Sequence, residues 1–236
     1  MLRKRLKGFA LSPTILGMTG MLFSIACLYT FILLSYDLME KGSFLFDQRV
    51  IETIRLYASP AMDTFMIFIT ELGSKLMLGL LLMISMIWLN RKNQWGMLFY
   101  FITVAGGGLL NLSLKNFFER ERPTINRIIE ADGFSFPSGH SMGSMTYYGF
   151  LIYLVIRSKF HPLSKIGLAT FFSIIILLIG MSRIYLGVHY PTDVIAGYMA
   201  GGFWLILCIS FLEIIYFYNK NIYQSTKEIE KKTKGM

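Results

Sequence analysis

Charged residues are scarce in this chain. They make up 16% of its 236 positions, against 54% hydrophobic, and the mean hydropathy is +0.54. A soluble domain of this length carries more polar surface, so the composition excludes an ordinary water-soluble fold and points to an integral membrane protein. Cysteine is also scarce. Cys27 and Cys208 both fall inside apolar runs, which excludes a disulfide framework and makes them small buried hydrophobes. There are three histidines, His140, His161 and His189, so any imidazole chemistry has few candidates. No internal repeat is visible, which excludes a repeat array. Acidic residues number 14 against 23 basic ones, a net charge of +9. In a soluble protein that excess would suggest nucleic acid. Here it is read by location, because cytoplasmic membrane loops collect Lys and Arg, and no nucleic-acid partner is expected.

What the chain has instead is long apolar runs. The N-terminal "MLRKRLK" followed by an apolar stretch resembles a signal peptide, but residues 11–35 run without a charge, too long for a signal core and long enough to span. It reads as an uncleaved first span, Leu11–Ser35. Five more follow: Ile69–Leu89, Trp95–Leu114, Ser138–Ile156, Ile166–Leu186 and Val194–Tyr218. All are expected to be helices, since a helix satisfies its backbone internally in lipid. The expectation is an all-α bundle of six transmembrane helices. It forms a single domain over 1–218, with a linker-like basic tail over 219–236.

Arg3, Lys4, Arg5 and Lys7, then Arg91 and Lys92, then Arg157, Lys159 and Lys165, then the lysines after Asn219 alternate with the spans. An even span count puts all four groups on one side, predicted to be cytoplasmic with both termini, in the plasma membrane. Residues 36–68, 115–137 and 187–193 then share the outer side. The first of these loops contains "FDQRVIETIRLYASP", where Val50, Ile51, Ile54 and Leu56 recur at near-helical spacing against Arg49, Glu52 and Arg55. A short interfacial helix is expected there, either a flap beside a lipid-entry gap or a plain surface helix. "GYMAG" (Gly197–Gly201) and "GGG" (Gly106–Gly108) are read as close helix packing rather than ligand contacts.

Three stretches converge on that outer rim. Lys115 and Arg122 stand seven residues apart, about 10 Å along a helix on one face. Snorkelling to the interface accounts for Lys115 alone but poorly for Arg183, which follows a strongly apolar run beside Ser182. Three cations at one depth call for an anion. In "FSFPSGHSMGS" (134–144), Pro137 and Ser138 suit a helix start, whose free N–H groups at Gly139 and His140 can hold phosphate. The plainer reading is a turn with a capping serine. In "HYPTD", Asp193 lies four residues after His189. A carboxylate on one ring nitrogen leaves the other free to attack, while the plainer reading is a capping Asp beside an interfacial His.

Lys115 with six residues then Arg122-Pro123, Pro137-Ser138-Gly139-His140, and Ser182-Arg183 with five residues, His189, three more and Asp193 resemble the three-part signature of the type 2 phosphatidic acid phosphatase superfamily. The motif resemblance covers residues 115–193, and the span layout extends it to the whole chain. It implies that His189 is the nucleophile and forms a phosphohistidine. Asp193 would orient it, and His140 would protonate the leaving oxygen and later activate water. Lys115, Arg122, Ser138, Gly139, Ser182 and Arg183 would hold the phosphoryl oxygens. Such cations can take the place of a metal, so the resemblance implies no cofactor and no metal site. His161 and the pair Glu119 and Glu121 are left outside the site, the two glutamates as possible partners of the neighbouring arginines.

The expected activity is hydrolysis of a lipid phosphate or pyrophosphate, with phosphatidylglycerol phosphate, phosphatidic acid and undecaprenyl pyrophosphate all suitable. The partner is the bilayer-borne substrate. The alternatives are a phosphotransferase using the same phosphohistidine and a non-catalytic lipid-phosphate binder or transporter.

Overall fold

The computed structural model describes residues 13–41, 44–90, 94–124 and 127–234, with side chains over 19–40, 44–87, 94–124 and 127–219. The basic cluster Arg3–Lys7, residues 11 and 12 of the expected first span, and Arg91 and Lys92 lie outside these limits. Among the described residues there are eight helices and no strand. They are α1 (Pro13–Lys41), α2 (Leu45–Arg55), α3 (Pro60–Glu71), α4 (Lys75–Asn90), α5 (Gln94–Phe118), α6 (Gly139–Arg157), α7 (Pro162–Tyr185) and α8 (Pro191–Lys234).

Their starts follow local chemistry. Ser59 caps α3 by accepting the Met62 N–H at 3.3 Å, with Pro60 at the first helical position. Ser138 caps α6, and His161 caps α7 by accepting the Leu163 N–H at 3.4 Å. His161 is thus an exposed helix cap. The amphipathic helix expected in the first loop is α2.

Four helical stretches, Thr19–Glu40, Gln94–Phe118, Pro162–Tyr185 and Pro191–Asn219, are long and apolar enough to cross a membrane. A fifth arises if α3 and α4, bent by 47° at a short break, count as one. The run Ile69–Leu89 is therefore not one straight helix. Ser74 accepts the Met77 N–H at 3.2 Å and starts α4 afresh. Gly73 is pressed onto α7, where a Cβ would come within 2.5 Å of Ile179 Cγ2 and 3.4 Å of His140 Cδ2.

The helix expected as the fourth span, α6, is 19 residues long and rich in Ser, Gly and Tyr. Its polarity reflects its place, since it packs against α4, α5, α7 and α8. Small residues permit that approach. A Cβ on Gly197 would come 2.7 Å from the Ser138 carbonyl oxygen, and one on Gly201 3.0 Å from that of Met142. Gly106 and Gly107 press on Trp204 and Thr146 in the same way, whereas Gly108 has open space beside it.

The last helix runs on through the stretch expected to be a linker, to Lys234. The sequence there, "TKEIEKKTK", is built largely from strong helix formers, so propensity carries the helix past its apolar part. Cys27 and Cys208 are buried and free.

Candidate active site

Four segments meet at the N-terminal end of α6. They are the end of α5 with the loop after it, the α6 start itself, the turn from α7 into α8, and the break between α3 and α4. The loop over 119–137 is held down by Phe136, which is fully buried. It stacks on Phe31 of α1 at 5.9 Å and meets Phe118 edge-on at 5.0 Å. Helix α5 ends by reversing at Glu119, whose φ of 46° lies in the left-handed region usually left to glycine. That reversal turns Arg120 inward, to 9% exposure, while Glu119 and Glu121 face solvent.

His189 is 2% exposed. Its Nδ1 stands 3.3 Å from Asp193 Oδ2 and 3.2 Å from the Ser135 hydroxyl. Its Nε2 stands 3.1 Å from Arg122 Nη1, a nitrogen that can only donate. The proton is therefore assigned to Nδ1 and the lone pair to Nε2, on the side of the cations. Burial pushes this imidazole down to about 3, with Arg183 and Arg122 adding to the effect and Asp193 opposing it. The ring is neutral at physiological pH, the form a nucleophile needs.

Asp193 has two tasks at once. It is the third residue of α8, and its Oδ2 accepts the Tyr190 N–H at 2.8 Å, as the acidic member of a capping box does. The same oxygen faces His189 and accepts the Ser135 hydroxyl. Asp193 thus caps α8 and faces the His189 ring at the same time.

The cations are placed as follows. Lys115 donates from Nζ to the carbonyl of Phe134 and, at 3.5 Å, to that of Ser135. Arg122 donates to the carbonyls of Gly133 (2.8 Å), Val188 (2.8 Å) and Asp132 (2.9 Å) while touching His189. Arg183, 5% exposed, donates from Nη1 to Thr70 Oγ1 at 2.7 Å, and its buried Nε has no acceptor among the described residues. Arg183, His189, Arg122 and Lys115 all bear electrostatically on His140. The four cationic or imidazole positions expected to share a rim with His140 do share it.

Of two expected phosphate holders, Ser182 has its hydroxyl proton engaged, whereas Ser138 only accepts. The Ser138 hydroxyl oxygen accepts from the Ser141 N–H (3.4 Å) and hydroxyl (3.0 Å). The Ser182 hydroxyl donates back to the Ile179 carbonyl at 2.6 Å. Gly139 lies where a Cβ would come 3.0 Å from Asn111 Oδ1 and 3.9 Å from Lys115 Cε, so only a glycine leaves that wall open. Ser141 and Ser144 are buried, and Gly143 packs on Leu78, as close-packing residues. No three His, Cys, Asp or Glu side chains among the described residues converge as metal ligands.

Sequence reasoning missed several members. Arg120 donates to Asp193 Oδ1 at 2.6 Å, Thr192 Oγ1 at 2.8 Å and Asp47 Oδ2 at 3.0 Å. The carboxylates that hold it are thus Asp47 and Asp193. Asn111 donates to the Pro137 carbonyl at 3.1 Å and fixes the α6 start from α5. Thr70, Ser135 and Gly73 were not expected either. The one signal for Arg120 was the doubled "ERER", which sets a second arginine two residues before Arg122 at the end of the helix.

The family model of the PAP2 superfamily matches residues 96–216. The chain is 32% identical to phosphatidylglycerophosphatase B of Bacillus subtilis (strain 168), over 66% of its own length and 77% of that protein. It is also 32% identical to undecaprenyl-diphosphatase BcrC of the same strain, over 57% of its length and 66% of that protein. Among solved structures, a transmembrane PAP2-type phosphatidylglycerolphosphate phosphatase from Bacillus subtilis superposes with a TM-score of 0.75 at 29% identity. That match covers 81% of this chain and 96% of the other.

Proposed function

The chain belongs to the PAP2 superfamily, and from that premise we propose that it is a multi-pass membrane lipid phosphatase acting through a phosphohistidine on His189. The observation that carries this reading is the neutral, buried His189, with Nδ1 on Asp193 and Nε2 turned to Arg122. The Nε2 lone pair attacks phosphorus while the bond to the leaving oxygen breaks. That oxygen keeps the electron pair and takes a proton from His140, which is protonated when the bound anionic phosphate offsets the cations around it. Asp193 stabilises the positive charge that the ring gains. In the second half His140, now neutral, takes a proton from water. The water oxygen attacks phosphorus, the N–P bond breaks and phosphate leaves.

Arg122, Arg183 and Lys115 offset charge on the transferring group, which is most of what phosphoryl transfer needs. Arg122 gives up its hold on Nε2 as the phosphoryl group arrives, and Arg183 Nε is a donor in reserve. No metal enters this scheme.

The substrate class is a phosphate monoester or pyrophosphate on a lipid: phosphatidylglycerol phosphate, phosphatidic acid or undecaprenyl pyrophosphate. The relatives' names include the first and the last of these activities. Lysine and arginine placement puts the site on the extracytoplasmic face and both termini in the cytoplasm. Six crossings follow if α6 crosses and the α3–α4 pair counts as one, with α2 lying in the outer interface.

The test is phosphate release by purified protein in detergent from each of the three lipids. The reading expects turnover of at least one lipid, unaffected by a chelator and abolished in His189→Ala. Turnover by His189→Ala at the unmodified rate would overturn it.

A further inference from the structure

The buried charge around Asp193 does not end at His189. Arg120 lies on its far side with Nη1 at 2.6 Å from Oδ1, and its Nη2 reaches Asp47 Oδ2 at 3.0 Å. The three side chains are 0%, 7% and 2% exposed respectively. The guanidinium lies over the Tyr190 ring, 4.0 Å from its centroid. Asp47 comes from α2, in a different part of the chain. Its Oδ1 accepts the Thr192 N–H at 2.8 Å and its Oδ2 the Thr192 hydroxyl at 2.7 Å. Burial holds the Asp47 carboxyl above its ordinary value, and the Thr192 and Arg120 donors oppose that rise. Those three donors and the adjoining guanidinium favour the carboxylate form.

The charges then sum simply. Arg120 with Asp193 alone is a neutral pair, and a carboxylate neutralised in that way gives little to the positive ring of a phosphohistidine. Asp47 shares the guanidinium and leaves the trio with a net charge of −1 beside His189. The geometry points to Asp47 and Arg120 as positioning residues for the reaction: Arg120 fixes Asp193 through Oδ1, and Asp47 offsets the Arg120 charge so that the trio keeps a net negative charge towards His189. The inference rests on His189 being the nucleophile. It also gives α2 a task, since a helix of the first loop supplies a charge on which the reacting ring depends.

A plain structural staple between α2 and α8 would have the same contacts but different kinetics. The test uses the full chain in detergent, with Asp47→Asn alone and Asp47→Asn combined with Arg120→Gln. The single change keeps the shape and an acceptor but takes the trio to zero charge. The double change returns it to −1. The expected result is kcat down about tenfold for Asp47→Asn, with KM within about twofold, and recovery by the double variant to within about threefold of the unmodified rate. Unchanged kcat in Asp47→Asn, a KM that moves with kcat, or a double variant no faster than the single one, misfolding included, overturns the inference. If His189→Ala is inactive while Asp47→Asn is fully active, this inference alone falls. Activity in His189→Ala removes the nucleophile and the inference with it.

Discussion

At its N-terminal end α6 packs through Ser138, Ser141, Ser144 and Thr146, all fully buried, with their hydroxyls bonded within the helix and its cap. From the next residue on it packs through Tyr147, Tyr148 and Phe150 in the cluster around Tyr100, whose ring stacks on Phe150 at 4.7 Å. The aromatic end is held mainly by dispersion and area, which tolerate small shifts, with the Tyr148 and Tyr147 hydroxyls bonded at its edge to the Leu72 carbonyl and Ser85. The serine end is held by partners: Ser138 by Ser141, the Pro137 carbonyl by Asn111, Asp193 by Arg120 and Ser135. A buried polar group is tolerable only with its partner, so such a region is rigid and specific, and its failures show in rate. The two ends of one helix thus separate what activates from what stabilises.

Substitutions can break that contrast or sharpen it. The largest effect is expected from His189→Ala, with kcat down at least about 10⁴-fold and the melting temperature nearly unchanged. Next is Phe150→Ala at the aromatic end, expected to cost about 3–5 kcal/mol of stability, with kcat per folded molecule unaltered. Arg183→Ala, read from kcat/KM on the same lipid, should lose about 10²–10³-fold. Gly197→Val places side-chain atoms against the Ser138 carbonyl and tests the join between α6 and α8. About 1–3 kcal/mol of destabilisation is expected, with kcat lowered as well because Ser138 precedes the site residues.

A separate effect, which needs no change in activity, is on pH dependence. His189 is held at about 3 against an ordinary 6.5, so between those values the unfolded chain binds more protons. Stability from this group is complete above 6.5 and is lost as pH falls towards 3, with a slope of at most about 1.4 kcal/mol per pH unit. Melting of His189→Gln compared with the unmodified protein across that window should show a flatter acid limb in the variant.

The legible part of the molecule was the part with a period or a spacing. Apart from the break at 72–74, the described residues of the apolar runs are almost all helical, and Lys115, Arg122, His140, Arg183 and His189 came together. Spacing within one helix or turn is a local quantity, and the phosphate motif is made of such spacings. Asp47 and Arg120 have no period and no fixed distance from Asp193, so their pairing exists only after the chain has folded. The break at Gly73 was hidden for a similar reason. A glycine in an apolar run reads as helix interior until a neighbour, here Ile179, presses on it. The α6 helix was legible as a helix but not as the centre of the bundle. Its serines and tyrosines look unsuited to lipid until the four helices around it are known.

The central claim is that His189 takes the phosphoryl group. It is tested most directly by quenching the working enzyme with ³²P-labelled lipid phosphate in alkali and mapping the label. The account predicts an acid-labile, alkali-stable phosphate on His189, absent in His189→Ala. No label on His189 during turnover, or an equal label in His189→Ala, would contradict it.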